Sequence, residues 1–289
     1  MTESVSERLI VERWREARRL LEEGIGARLR ELGEYDELGI HEYIVAGGKR
    51  LRGFATLLIA EAMGSSWSEA LDAAVAVEIV HSASLAIDDV IDGDEVRRGR
   101  AAAWLKYGPG RAVMAANLLI SFAQRLLLLR YGYRAVERSV VAWYDISRGE
   151  VLDAYTGRGG YLEVVRLKTG SLFRLAAELG GVVAGVDNER LSLLGRYGEL
   201  MGVAYQLADD IVDYMRGERD GSVVRLLEWL GNPVNILEAA LPRLRSLFAE
   251  LDSLAQRLFR GFFARMASLL PRFVVKSMFR EAGLEIPGL

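Results

Sequence analysis

The stretch from Trp67 to Asp92 constrains the fold most strongly, because its apolar residues recur with helical spacing until a final acidic turn. That turn carries Asp88, Asp89 and Asp92, which we name the first acidic cluster. At about 100° per residue, Asp88 and Asp92 lie on one face of a helix with Asp89 beside them. We therefore predict a long apolar helix that ends in a group of carboxylates.

The rest of the chain also favours helices. It has only five prolines in 289 residues, and its long segments rich in Leu, Ala, Arg and Glu rarely alternate between apolar and polar residues. Hydrophobic residues make up 51% of the sequence, which is enough to bury a sizeable core. No linker or low-complexity tract divides it. We predict an all-α helical bundle formed by a single domain, residues 1–289.

A second stretch, Gly202 to Asp213, repeats the first arrangement. Its apolar helical run ends in the second acidic cluster, which consists of Asp209, Asp210 and Asp213. Gly202 and Gln206 fall on the aspartate face of the predicted helix. With glutamine and glycine on that face, we predict open space beneath the carboxylates.

One acidic cluster on a helix is ordinarily a solvated surface. Two clusters with the same spacing are much less expected by chance, and neither Asp88 nor Asp89 has a Lys or Arg four residues away with which to pair. Carboxylates that repel one another without a local partner indicate a missing cation. The pattern predicts a metal site shared by the two clusters.

Basic residues stand near the first cluster and between the two clusters. The segment Gly47 to Arg52, GGKRLR, opens a predicted helix, where backbone amides and cations can hold an anion, although a basic turn alone is usually solvated surface. Arg97 and Arg98 follow the first cluster as a concentrated positive charge. Lys168 is one of only four lysines and lies in an apolar context, so it belongs to a site or extends to the surface.

Composition excludes several functions. The chain has no cysteine and two histidines, so a metal must be bound mainly by oxygen atoms. The formal net charge of -3 gives no electrostatic case for nucleic acid as the main partner. No apolar run reaches the roughly 18 residues of a membrane span, and the amphipathic N-terminus is unlike a signal peptide. We expect a cytoplasmic protein without a transmembrane span.

In order along the chain, the motifs GGKRLR, RRG, KTGSLF and YQLADD, together with the paired aspartate clusters, resemble the trans-isoprenyl diphosphate synthases. The resemblance covers most of the chain from Gly47 to Tyr214. It implies a helical prenyltransferase fold around a central cavity, usually a homodimer. It also implies Mg²⁺-assisted condensation of isopentenyl diphosphate with an allylic diphosphate. The implied reaction ionises the allylic substrate, adds the isopentenyl double bond to the cation and then removes a proton.

The resemblance also implies roles for individual residues. The diphosphate of isopentenyl diphosphate would be bound by Lys49, Arg52, His81 and Arg98. The allylic diphosphate would be bound by Arg97 and Lys168. The magnesium ligands would be Asp88, Asp92, Asp209 and Asp213, supported by Asp89 and Asp210. The residues expected to take part in catalysis are Asp88, Asp89, Asp92, Lys168, Thr169, Gln206 and Asp209, with Thr169 and Gln206 close to the reacting carbons.

Product length depends on two residues just before the first cluster. Helical spacing places Ser84 directly beneath Asp88. By the resemblance, Ala83 also lines the cavity, and an aromatic residue there stops growth early. Because both residues are small, we predict a product of geranylgeranyl length or longer.

The chain departs from the family pattern after the second cluster. Residues 215–232 contain no lysine where a lysine-rich loop is usual, and only Arg216, Arg219 and Arg225 could substitute. Glu150 also stands where glutamine is frequent. The missing lysine-rich loop favours an alternative, a non-catalytic or weakly catalytic partner subunit of a heteromeric prenyl synthase, although both complete clusters argue against it. A terpene cyclase would share the metal chemistry but would have no use for the cations that serve a second diphosphate.

Overall fold

The computed structural model describes residues 5–36, 38–156 and 158–283. The outermost residues of the predicted domain, 1–4 and 284–289, lie outside this description. Within the described residues the regular secondary structure is helical apart from one hairpin of two-residue strands. The predicted all-α class is therefore confirmed.

The elements follow one another in a simple order. The helices of the N-terminal half are α1 (Val5–Leu29), α2 (Ile40–Val45), α3 (Leu51–Ala62), α4 (Trp67–Asp92), α5 (Ala103–Tyr107), α6 (Pro109–Tyr131) and α7 (Tyr133–Glu150). Those of the C-terminal half are α8 (Tyr161–Val165), α9 (Ser171–Val183), α10 (Asn188–Arg216), α11 (Gly221–Leu230), α12 (Ile236–Leu258) and α13 (Gly261–Glu281). The strands are β1 (Val96–Arg97) and β2 (Arg100–Ala101), and the remaining turns are 3₁₀ (Arg30–Asp36) and π-helical (Val151–Thr156 and Arg166–Gly170).

The described residues form two compact units. The first-cluster unit comprises Trp14–Val140 and Leu179–Gly185. The second-cluster unit comprises Val141–Glu178, Val186–Leu289 and the residues up to Arg13, within the described ranges. Each unit contains one acidic cluster.

In the first-cluster unit, α4 packs against α3 and α6. The helix begins at a capping box, in which Ser66 accepts from the Glu69 amide while the Glu69 carboxylate accepts from the Ser66 amide. It ends at Gly93, whose φ of 73° is a left-handed conformation that glycine adopts without strain. The sequence prediction of a helix from Trp67 to Asp92 is confirmed, and its core-facing residues are buried.

In the second-cluster unit, α10 packs against α12, α13 and the π-helical turn Arg166–Gly170. Close packing depends on glycine, because a Cβ atom at Gly198 would lie 2.3 Å from the carbonyl oxygen of Phe173. The helix starts at Asp187, whose side chain accepts from the Arg190 amide, and it ends at Gly217. This helix positions the second acidic cluster.

Two of the described helices, α4 and α6, are long and apolar enough to cross a membrane by length and composition alone. The most apolar window of α4 is 72% buried inside the protein, and that of α6 is 50% buried. Core helices of soluble proteins pass the same test, so this is weak evidence for a span.

Candidate active site

The first acidic cluster divides into one buried and two more exposed carboxylates. Asp89 is 2% exposed, and its Oδ1 accepts a hydrogen bond of 2.6 Å from Nε of Arg97. Burial raises the pKa of Asp89, and the charge and hydrogen bond of Arg97 oppose that shift. Asp88 is half-buried and Asp92 is exposed. Asp89 thus organises the cluster, while the outer two carboxylates are accessible to a ligand.

The hairpin after α4 directs the two adjacent arginines to different partners. Arg98 and Gly99 have φ values of 53° and 71°, which form a tight turn between β1 and β2. Arg97 turns back to Asp89, whereas Arg98 donates to the carbonyl oxygen of Ala46 at 3.0 Å and to Oγ of Ser82 at 3.3 Å. Burial and the charge of Arg50 lower the pKa of Arg98 to about 10. A guanidinium under this positive potential is a favourable place for an anion.

The glycines of GGKRLR bring the backbone close to Arg98. Gly47 and Gly48 have φ values of 78° and 99°, and a Cβ at Gly48 would lie 3.2 Å from Cζ of Arg98. At the start of α3, Nη1 of Arg52 lies 3.0 Å from Nε2 of His81. Burial and the charge of Arg52 lower the pKa of His81 well below its usual value, so the imidazole is neutral and accepts from Arg52. Thus Arg52 is brought together with His81, and Arg98 with the GGKRLR turn.

Arg50 stabilises the fold, a role that the sequence alone did not reveal. Its side chain is fully buried and donates to Glu22 at 2.8 Å and to the carbonyl oxygen of Val45 at 2.7 Å. It also lies 3.6 Å from the buried carboxylate of Glu78. Glu78, an acidic residue within the apolar run of α4, could have indicated this role from the sequence, because a buried acid requires a cation. Of the cations in this motif, the one at position 50 stabilises the fold.

A pocket lies beside α4 in the first-cluster unit. Its lining includes Tyr43, Ser82, Leu85, Asp89, Arg97 and Arg98. The proposed product-length residues do not line it: Ala83 is fully buried, and Ser84 is 4% exposed with its hydroxyl bonded to the carbonyl oxygen of His81. Their role in product length stays a prediction.

Like the first acidic cluster, the second contains one buried carboxylate and two more exposed ones. Asp210 is 1% exposed and accepts hydrogen bonds from the hydroxyl of Tyr161 at 2.6 Å, from Nε2 of Gln206 at 2.9 Å and from Oγ of Ser222 at 2.7 Å. Burial raises the pKa of Asp210, and these donors oppose the shift. Asp209 and Asp213 are half-buried. In both clusters the middle aspartate is therefore held by protein donors.

The π-helical turn Arg166–Gly170 carries two of the predicted residues. Oγ1 of Thr169 donates to Oε1 of Gln206 at 2.7 Å, so these two are brought together. Lys168 is half-buried, and its ammonium lies 2.6 Å from Oδ2 of Asp153 and 2.9 Å from Oε2 of Glu150. Although burial opposes it, these carboxylates raise the pKa of Lys168. The alternative of a lysine that merely reaches the surface does not fit these contacts.

The predicted open space beneath the second cluster is filled at Gly202. A Cβ at Gly202 would lie 2.8 Å from Cα of Gly170 and 3.1 Å from the carbonyl oxygen of Thr169. The small residue therefore admits the backbone of the neighbouring turn, and that prediction was wrong. Sequence pattern shows that a residue is small but not what fills the space beside it.

A third acidic group includes one predicted metal ligand. Within the described part of the chain, Asp213, Glu218 and Asp220 can place their carboxylate oxygens within 4.8 Å of one another. Burial, followed by the negative charges of Glu218, Asp210 and Asp220, raises the pKa of Asp213 to about 6. Among the residues that the structure describes, the first acidic cluster forms no such group. Oxygen donors under excess negative charge fit a hard divalent cation.

Comparisons with known proteins identify the family and the fold. A polyprenyl synthase structure from Caulobacter crescentus, described as complexed with calcium and isoprenyl diphosphate, matches with a TM-score of 0.78 and 26% identity, covering 95% of this chain and 99% of that one. The hexaprenyl pyrophosphate synthase of Saccharolobus solfataricus is 32% identical over 281 residues, 96% of this chain and 99% of that protein. The geranylfarnesyl diphosphate synthase of Methanosarcina mazei is 33% identical over 71% of each chain.

The fold is thus that of the all-α isoprenoid synthases. The sequence profile described as Polyprenyl synthetase matches residues 38–221. The chain belongs to the polyprenyl synthetase family.

Proposed function

We propose that the chain is a chain-elongating prenyltransferase that condenses isopentenyl diphosphate with an allylic diphosphate. The observation that carries the proposal is the division shared by both acidic clusters, in which a buried middle aspartate is held by protein donors beside more accessible carboxylates. Hexaprenyl and geranylfarnesyl synthases among its relatives support the same reaction. We further propose that residues 1–289 act as a single prenyltransferase domain, since the matched region 38–221 includes residues of both units.

The proposed cofactor is Mg²⁺, held by Asp88, Asp92, Asp209 and Asp213. The close approach of the Asp213, Glu218 and Asp220 carboxylates and the absence of cysteine support oxygen coordination of a hard cation. When bound, such an ion would neutralise charge on the diphosphate that leaves the allylic carbon. The relative crystallised with calcium and isoprenyl diphosphate supports this chemistry.

The chain's own cations would bind the two substrates. Arg52 and Arg98 are buried or half-buried, and with Lys49 and neutral His81 they would bind the diphosphate of isopentenyl diphosphate. Nε2 of His81 accepts from Arg52, so the imidazole positions that guanidinium.

Arg97 and Lys168 would bind the allylic diphosphate. Both already contact carboxylates, so each can pass from a carboxylate to a phosphate oxygen without losing its charge partner. The hydrogen-bonded pair of Thr169 and Gln206 would lie near the reacting carbons, where its dipoles can stabilise positive charge. Apolar helical walls would exclude water from the allylic cation before the isopentenyl double bond adds to it and a proton is lost.

The product is proposed to be of geranylgeranyl length or longer, because Ala83 and Ser84 are small. We also propose a homodimer. Exposed apolar side chains on α6 support it, including Met114 and Leu129, each 66% exposed. A cytoplasmic location is proposed from the composition of the sequence.

Turnover by aspartate variants tests the proposal. Purified chain would be incubated with Mg²⁺, labelled isopentenyl diphosphate and allylic primers of increasing length, and the products separated by chromatography. Asp88→Asn and Asp209→Asn are each expected to lower kcat by at least about 100-fold. Asp252→Asn is the control, since its carboxylate pairs with Arg272 outside both clusters. Unchanged turnover in both cluster variants contradicts the proposal.

A further inference from the structure

Two cations share one carboxylate in the second-cluster unit. Asp153, in the π-helical turn after α7, binds the ammonium of Lys168 through Oδ2 and Nη1 of Arg225 through Oδ1. Nη2 of Arg225 also donates to the carbonyl oxygen of Asp153 at 3.2 Å. The ammonium of Lys168 also lies 2.9 Å from Oε2 of Glu150. These four side chains carry two positive and two negative formal charges, and we name them the four-charge cluster.

The four-charge cluster is largely shielded from water. Side-chain exposures are 23% for Lys168, 11% for Glu150, 21% for Asp153 and 14% for Arg225. Removing one cation from a shielded group leaves a carboxylate without compensation, which is costly. Lys168 can therefore turn to a substrate anion at low cost only if another cation stays on Asp153.

Arg225 is placed to be that cation. It belongs to α11, which carries a second link three residues earlier, where Ser222 donates to Asp210. Asp210 in turn accepts from Gln206, which is bonded to Thr169. One face of α11 thus contacts the carboxylate partners of both Lys168 and Gln206. The planar guanidinium can hold a side-chain and a main-chain oxygen of Asp153 together, which an ammonium cannot do as rigidly.

We propose that Arg225 is a positioning residue for the allylic diphosphate. It retains Asp153 when Lys168 exchanges that carboxylate for a phosphate oxygen, and it keeps α11 docked during the exchange. This inference rests on the proposed function and deepens it. It gives a role to one of the three arginines in residues 215–232, a segment that contains no lysine.

Steady-state kinetics of single and double variants test the inference. Arg225→Ala is expected to raise the KM for the allylic diphosphate by about 10-fold, and to change the KM for isopentenyl diphosphate by less than about 2-fold. Arg225→Lys keeps the charge and is expected to recover part of the loss. Arg243→Ala is the control, because its guanidinium stacks on Trp229 of α11 at 5.4 Å and does not touch the four-charge cluster.

A double-variant cycle separates positioning from simple structural damage. Because Arg225 acts through Asp153, adding Arg225→Ala to Asp153→Asn should change the allylic KM by less than about 2-fold. An equal Arg225→Ala effect in both backgrounds, or an unchanged allylic KM in the single variant, overturns the inference.

A binding measurement keeps the inference independent of turnover. Inorganic pyrophosphate would be titrated calorimetrically into folded wild type, Arg225→Ala and Arg243→Ala. Weaker binding in Arg225→Ala alone supports the inference, and equal binding in all three contradicts it. If the wild type is inactive with every primer, the proposed function fails, and this titration still decides the role of Arg225.

Discussion

Replacing Arg50 by methionine should destabilise the protein by about 3–5 kcal/mol, because it leaves the carboxylate of Glu78 buried without its cation. Glu78 is 2% exposed and also accepts from the Gly53 amide at 2.7 Å, so it cannot move to water without breaking the start of α3. The other partner, Glu22, has a side chain that is 42% exposed and should add no more than about 1 kcal/mol. Arg50 has a left-handed φ of 55°, but methionine bears the same backbone strain, so strain cancels in the comparison.

Equilibrium urea unfolding followed by circular dichroism, at fixed protein concentration, measures this loss. Arg19→Met is the matched control, since the Arg19–Glu23 pair is exposed and should contribute less than about 1 kcal/mol. Adding Glu78→Gln to Arg50→Met should restore at least about 1 kcal/mol, because glutamine is neutral and still accepts from the Gly53 amide. A loss below about 1 kcal/mol in Arg50→Met, or no recovery in the double variant, would refute this account of the buried arginine.

Three further predictions follow from buried, closely packed and capping positions. Ala83→Phe should shorten the principal product, measured by chromatography of the dephosphorylated chains, and an unchanged length would refute the role of that position. Gly202→Ala should lower the free energy of unfolding by about 1–3 kcal/mol and kcat by about 10-fold or more, because its Cβ would meet the turn that carries Lys168. Gly110→Ala, with open space around it, is the control, and equal effects in both would contradict the packing argument. Hydrogen bonds from the backbone and side chain of Ser66 lower the pKa of Glu69 to about 2, below the value of an unfolded glutamate. The capping box should therefore stabilise fully above about pH 5 and weaken as the pH falls toward 2, an acid loss that Glu69→Gln should reduce in unfolding measurements.

Long periodic patterns made the fold predictable from sequence. The apolar run before the first acidic cluster predicted α4 from Trp67 to Asp92, with the bounds that the structure has. The sequence from about Tyr133 to Tyr155 also favours one continuous helix, but the structure is α-helical only to Glu150 and continues as the π-helical turn Val151–Thr156. Hydrophobic periodicity did not reveal the change, because a π-helical segment of a single turn is too short to establish a repeat of its own.

The candidate site was predictable only in part. The aspartate clusters were visible because their spacing repeats. The role of Lys168 was suggested because lysine is rare in this chain. Its carboxylate partners Glu150 and Asp153 and the neighbouring Arg225 could not be paired in advance, since each lies on a different turn or helix. The contact of Gly202 with the backbone of Gly170 likewise depends on tertiary packing. Local pattern identified charged groups, but their partners required three-dimensional structure.

The most direct test of the central claim is the stoichiometry of condensation by the purified chain alone. With Mg²⁺, an allylic diphosphate and labelled isopentenyl diphosphate, we predict one diphosphate released for each isopentenyl unit found in the elongated product. The metal chelator EDTA should abolish both signals. No incorporation with any allylic primer, or diphosphate release without incorporation, would contradict a chain-elongating prenyltransferase.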